Sequence, residues 1–126
     1  MKTAHDLVAE AKAHIREIDP NAAEQAIRDA DLLLDVREPE EFHAGHIPGA
    51  LNIPRGVLEF KIGSEPRLAE RDLDIVLYCK TGGRAALAAR ALKEMGYLQV
   101  HSIAGGFEAW EAAGKPVARP SQPSFE

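Results

Sequence analysis

Short apolar runs alternate along this chain with stretches of helical spacing. Ile75-Val76-Leu77-Tyr78-Cys79 is apolar throughout, the pattern of a strand covered on both faces. Leu32-Leu33-Leu34-Asp35-Val36 reads the same way, with a charge set near its carboxyl end. Arg16 to Ile18 fits an edge strand, and Leu51-Asn52-Ile53 and Val100 to Ile103 are further short strands. Thr3 caps a first helix whose apolar positions are Leu7, Val8, Ala11 and Ile15. Asp19-Pro20 is a cap followed by a first-turn proline, leading through Ala23, Ala26 and Ile27. Glu38 to Phe42 reads as a short acidic helical turn and Gly56 to Ile62 as a short helix. The clearest helix is Ala85 to Met95, with Ala88, Leu92 and Met95 on one face and Gly96 as its stop. Ala104-Gly105-Gly106 then turns into a last helix carrying Phe107, Trp110 and Ala113. This alternation predicts an α/β fold, an open parallel sheet with helices on both faces. Ligands of such sheets gather at the carboxyl ends of the strands. Asp35 and Cys79 both fall at such ends and are expected on one rim.

Composition narrows the function. The chain has 126 residues, one domain's worth. Fifteen Lys and Arg face twenty Asp and Glu, a net charge of −5. Without a dense basic run, nucleic acid is not the expected partner. No apolar run approaches the ~20 residues of a membrane span, so no membrane partner is expected. A single cysteine excludes an internal disulfide and, with no secretory hydrophobic core after Met1, fits a reducing, cytoplasmic setting. It also leaves no resolving thiol, so any oxidised or sulfur-loaded Cys79 must be discharged by another molecule.

Cys79 sits between the strongest strand and the strongest helix, followed by Lys80-Thr81-Gly82-Gly83-Arg84. Thiolate, the nucleophilic form, is favoured at helix N-termini and beside cations, and Lys80 and Arg84 act in that direction. Gly82 and Gly83 leave backbone N–H groups free to turn around an anionic sulfur. A lone cysteine ending an apolar strand is also a common small core residue, but a core cysteine has no need of two glycines and two cations in the next five positions.

Four segments resemble single-domain rhodaneses, a sulfurtransferase family. They are Leu34-Asp35-Val36-Arg37-Glu38 with Glu41-Phe42, then Gly45-His46-Ile47-Pro48-Gly49-Ala50, then Tyr78 to Arg84, and Ala104-Gly105-Gly106-Phe107 with Trp110. The resemblance implies a rhodanese-like fold with about five parallel strands, as a domain over residues 15–117. A helical extension (1–14) precedes it and a flexible, Pro-rich tail (118–126) follows. It implies that Cys79 takes a sulfane sulfur from a small anionic donor, thiosulfate or a low-molecular-weight persulfide such as glutathione persulfide. The sulfur would then pass to cyanide, a thiol or a protein acceptor. Residues 80–84 would form the persulfide-binding loop, with Lys80 and Arg84 stabilising the anionic leaving group. No metal or organic cofactor is implied.

The remaining residues divide between chemistry and structure. Arg84 either binds an anionic donor or pairs with Asp35 to lock the loop. Asp35 is expected to organise the site rather than act as a base, since a buried carboxylate needs a partner. Arg37 is expected to tie loops together at the rim. His46 is expected to brace its turn; with His43 it makes a poor metal pair, lacking further ligands nearby. Phe107 and Trp110 are expected core anchors, and Arg55, Glu59 and Phe60 candidates for the surface over the site. The rival functions are a non-catalytic rhodanese-like binding module, a persulfide carrier, and a cysteine phosphatase or arsenate reductase. The phosphatases of this fold have a loop one residue longer than the four residues between Cys79 and Arg84, so the cradle here suits one sulfur better than a phosphate.

Overall fold

A computed structural model of the protein describes residues 1–120. Five strands form one sheet: β1 Arg16–Ile18, β2 Leu32–Asp35, β3 Leu51–Asn52, β4 Asp74–Tyr78 and β5 Gln99–Ile103. Their spatial order is β1-β5-β4-β2-β3, and every pairing is parallel. All five carboxyl ends therefore open on one rim. Six α-helices flank the sheet: α1 Ala4–Lys12, α2 Pro20–Asp29, α3 Pro39–Ala44, α4 Leu58–Ser64, α5 Gly83–Glu94 and α6 Gly106–Ala112.

The unbroken apolar run of β4 is explained by its central place. Side chains alternate across a strand, so Ile75, Leu77 and Cys79 enter one core with Leu58, Ile62, Ala85, Ala88 and Leu92 from α4 and α5. Val76 and Tyr78 enter the opposite core with Ala23 of α2 and Phe107 and Trp110 of α6. Ile75 to Tyr78 are fully buried. Both faces of the sheet are thus covered, as the sequence pattern predicts.

The helix starts follow from their caps. Thr3 and Asp6 form a reciprocal capping box at α1, and the Asp19 carboxylate accepts the Asn21 N–H at α2. Helix α1 ends at Lys12, so Ile15 reaches the core from the following turn rather than from the helix face. Its Ala11 is fully buried, and the Lys93 ammonium donates to the His14 carbonyl at 2.8 Å behind it.

The expectation of a loose tail from residue 118 is corrected for its first residues. Ala118 and His46 exchange backbone hydrogen bonds of 2.8 and 2.9 Å, and Arg119 pairs with Glu111 at 3.1 Å. Just before them, the Trp110 indole N–H donates to the Pro116 carbonyl at 2.7 Å. The His46–Ala118 contact is an isolated antiparallel bridge outside the sheet, in which backbone groups of the two segments satisfy each other. The remainder of the expected tail, 121–126, lies outside the described residues.

Candidate active site

Strand β4 carries Cys79 to the carboxyl rim, where its side chain is 1 % exposed. The chain turns back at Gly82, whose φ of +122° is open to glycine and strained for other residues. That turn aims the Gly82 N–H at the Cys79 sulfur, at 3.0 Å. Helix α5 begins at the next residue, so the sulfur faces the positive end of a helix of 12 residues.

The loop is held from behind by α6. The first N–H groups of a helix have no partner inside it, and here they find the loop: Phe107 N–H donates to the Cys79 carbonyl at 2.8 Å and Glu108 N–H to the Lys80 carbonyl at 3.0 Å. Gly106 makes this approach possible. A Cβ there would lie 2.5 Å from the Cys79 carbonyl oxygen and 2.7 Å from the Lys80 carbonyl. Gly105-Gly106 predicts a turn into a helix; the docking of that helix on the cysteine loop is a long-range contact that local pattern does not carry.

Arg84 does not pair with Asp35. Its guanidinium grips Glu41 of α3 through two hydrogen bonds, 2.7 and 3.0 Å. Asp35 is taken instead by Arg37, two residues on. Arg37 donates from Nε and Nη2 to the carboxylate, the shortest contact being 2.7 Å, and its backbone N–H adds a bond of 2.9 Å. Hydrogen bonds from Arg84 hold the Glu41 carboxyl far below its ordinary value, at about 2, against an opposing effect of burial. The same pair raises the Arg84 pKa, with a smaller contribution from the Cys79 charge. Glu41 stands in the first resemblance segment, but an acidic residue in a first turn reads equally well as a helix-dipole partner.

Asp35 and Arg37 are 0 % and 4 % exposed. Burial opposes the Arg37 charge, but hydrogen bonding and attraction from Asp35 outweigh it and raise the pKa. Arg37 also donates to the Gly45 carbonyl at 2.7 Å and lies over the Phe107 ring, 4.4 Å from its centre. It ties β2, the turn at Gly45 and α6 together, the rim role expected of it. Tyr78 adds a second tie that the sequence reading missed: its hydroxyl accepts the Ile47 N–H at 3.0 Å. Burial raises its pKa, so it stays neutral.

Lys80 and Thr81 are exposed, and the Lys80 ammonium lies 4.0 Å from Glu108. His46 stacks on Phe42 at 3.7 Å between ring centres, its Nδ1 3.0 Å from the Phe42 carbonyl, which is a brace. Trp110 and Phe107 are buried, as expected of core anchors. Arg55 and Glu59 pair with each other at 2.9 Å and line a groove with Leu7 of α1 and Leu87 of α5. No residue from 79 to 84 lines that groove, and Phe60 is 78 % exposed.

The Rhodanese-like domain family matches residues 19–113. A sulfurtransferase of Allochromatium vinosum is 34 % identical over 108 residues, which cover 84 % of this chain and 97 % of that protein. The thiosulfate sulfurtransferase GlpE of Vibrio cholerae is 31 % identical over 106 residues, covering 82 % and 95 %. A solved structure from Rhodopseudomonas palustris, described as a protein of unknown function and possible tyrosine phosphatase, superposes with a TM-score of 0.84 at 33 % identity. It covers 94 % of this chain and 96 % of its own. With the family match extending from the cap of α2 to the end of α6, this chain belongs to the rhodanese-like domain family.

Proposed function

We propose that the protein is a rhodanese-type sulfurtransferase in which Cys79 carries the sulfur as a persulfide. The observation that carries this reading is the Gly82 N–H held on the Cys79 sulfur at 3.0 Å, at the head of α5. A thiolate is stabilised there by one aimed donor and the helix end together. It attacks the outer sulfur of thiosulfate. The sulfur–sulfur bond of the donor breaks, its electron pair leaves with sulfite, and Cys79 becomes an anionic persulfide. An acceptor then takes the terminal sulfur: cyanide would leave as thiocyanate, while a thiolate or a protein cysteine would become the new persulfide. Glutathione persulfide is the alternative donor, with glutathione thiolate as leaving group.

Arg84 serves as a brace in this scheme, since both its terminal nitrogens donate to Glu41. The same pairing weighs against phosphatase chemistry, which needs a guanidinium directed at the phosphate. Asp35 and Arg37 hold the rim on which the loop stands. The near-complete burial of Cys79 restricts donors to small molecules or slender protein segments.

The test is intact mass of the reduced protein after incubation with thiosulfate, and separately with glutathione persulfide, followed by cyanide. A gain of one sulfur, lost again as thiocyanate, is the expected result. Folded, reduced protein that takes sulfur from neither donor would refute the reading in favour of a binding module or a partner-loaded carrier. Hydrolysis of p-nitrophenyl phosphate without sulfur uptake would point to the phosphatase reading.

A further inference from the structure

We propose that Lys12, on the helix preceding the family-matched segment, binds the anionic sulfur donor and sets the preference for anionic over neutral donors; this rests on the sulfurtransfer reading of Cys79. Lys80 and Arg84 are the cations that sequence offers for this role, and both are otherwise placed. Arg84 is paired with Glu41, and the Lys80 side chain is turned to solvent, 61 % exposed.

The Lys12 ammonium instead stands against the cysteine loop. It lies 3.9 Å from the point that a Cβ on Gly82 would occupy, and the Gly105 amide nitrogen lies at the same distance from that point. Gly82 is the residue whose N–H meets the sulfur. The Lys12 ammonium therefore stands on the flank of the loop that carries no side chain, with the Gly105 amide nitrogen beside it.

Helix α1 is seated firmly enough to hold Lys12 there. Val8 lies 3.6 Å from the corresponding point on Gly83, and Ala11 is fully buried beside it in sequence. Lys12 itself is only loosely engaged, 3.9 Å from Glu17 and 42 % exposed. Its donors are free to bond the sulfonate oxygens of thiosulfate or the carboxylates of a peptide persulfide. With a neutral donor the charge acts only on the sulfur itself, an effect common to both kinds of donor that cancels in their ratio.

The test compares Lys12→Gln and Lys12→Arg with the parent in two assays. The first is the rate of Cys79 alkylation by iodoacetate relative to iodoacetamide, which reads the field at the sulfur without any sulfur transfer. In Lys12→Gln this ratio should fall about three- to tenfold, the effect of one partly screened charge, and Lys12→Arg should restore it. The neutral reagent also reports on folding, since an opened site raises its rate. The second is thiosulfate turnover, where Lys12→Gln should raise KM more than it lowers kcat. An unchanged alkylation ratio in Lys12→Gln overturns the proposal. If the parent takes no sulfur from thiosulfate yet the ratio still falls, the sulfurtransfer reading fails while the placement of Lys12 stands.

Discussion

Glu41 and Arg84 lie 43 positions apart in sequence and meet in a two-pronged ion pair of 2.7 and 3.0 Å. The pair fastens the first turn of α5, and with it the cysteine loop, to α3. Its pH dependence has a definite sign. The Glu41 pKa is depressed from 4.5 to about 2, so the stabilisation is complete above pH 4.5 and disappears as pH falls through about 2. With the side chains 29 % and 37 % exposed, solvent screening brings the contribution to about 1–2 kcal/mol. Urea unfolding of Glu41→Gln at pH 7 should show a loss of that size, and the gap to the parent should close on acidification towards pH 2. A gap of constant size across that range would show that the ion pair is not its source.

Gly106→Ala places a methyl group against the Cys79 and Lys80 carbonyls in a left-handed conformation, φ +59°. The backbone must move, at about 2–4 kcal/mol, and the helix that holds the cysteine loop moves with it. Thermal unfolding should register the loss and sulfur loading should fall. Gly56→Ala is the control: it has open space and no positive φ, and should leave both unchanged.

Asp35→Asn removes the counter-charge of a buried guanidinium. Breaking a buried pair from one side costs about 3–5 kcal/mol, so a large drop in the urea midpoint is expected. Arg37 would keep the Gly45 carbonyl as an acceptor but lose its charged partner. A change below about 1 kcal/mol, the scale of a surface pair, would mean that the site is far wetter than its burial implies.

Cys79→Ser should abolish sulfur uptake with little effect on stability. The hydroxyl is close to the thiol in size and can accept the Gly82 N–H in its place, so the unfolding free energy should change by less than about 1 kcal/mol. Loading of the serine variant at the parent rate would remove Cys79 as the nucleophile.

Tyr78→Phe leaves the Ile47 N–H without its partner inside the protein. An unpaired buried donor costs about 1–3 kcal/mol. Because the turn at Gly45 to Ala50 rests on this bond and on Arg37, hydrogen exchange of the Ile47 amide should accelerate well before global unfolding does. Unchanged protection at Ile47 would assign the turn to its other ties, Arg37 and the His46–Ala118 bridge.

Local information was enough for the elements and for the placement of Cys79. Consecutive apolar residues at 75–78, a capping box at Thr3 and Asp6, and Asp19-Pro20 act within a turn or two of themselves, so their structural consequence is written beside them. The same holds for Cys79, because its loop glycines, its strand and its helix are contiguous. Partner choice was decided elsewhere. Arg84 could reach any carboxylate that the fold brought near, and only the parallel order of the sheet, which sets α3 beside the start of α5, selects Glu41 over Asp35. The need for a bare Gly106 arises from carbonyls 26 and 27 residues earlier in the chain. Lys12 meets the loop because Val8 and Ala11 seat their helix on α5. Spacing along the chain thus determined what each segment becomes and where the Cys79 sulfur sits. Tertiary packing alone decided which charges surround that sulfur, because a salt bridge depends on distances in space that a sequence pattern leaves open.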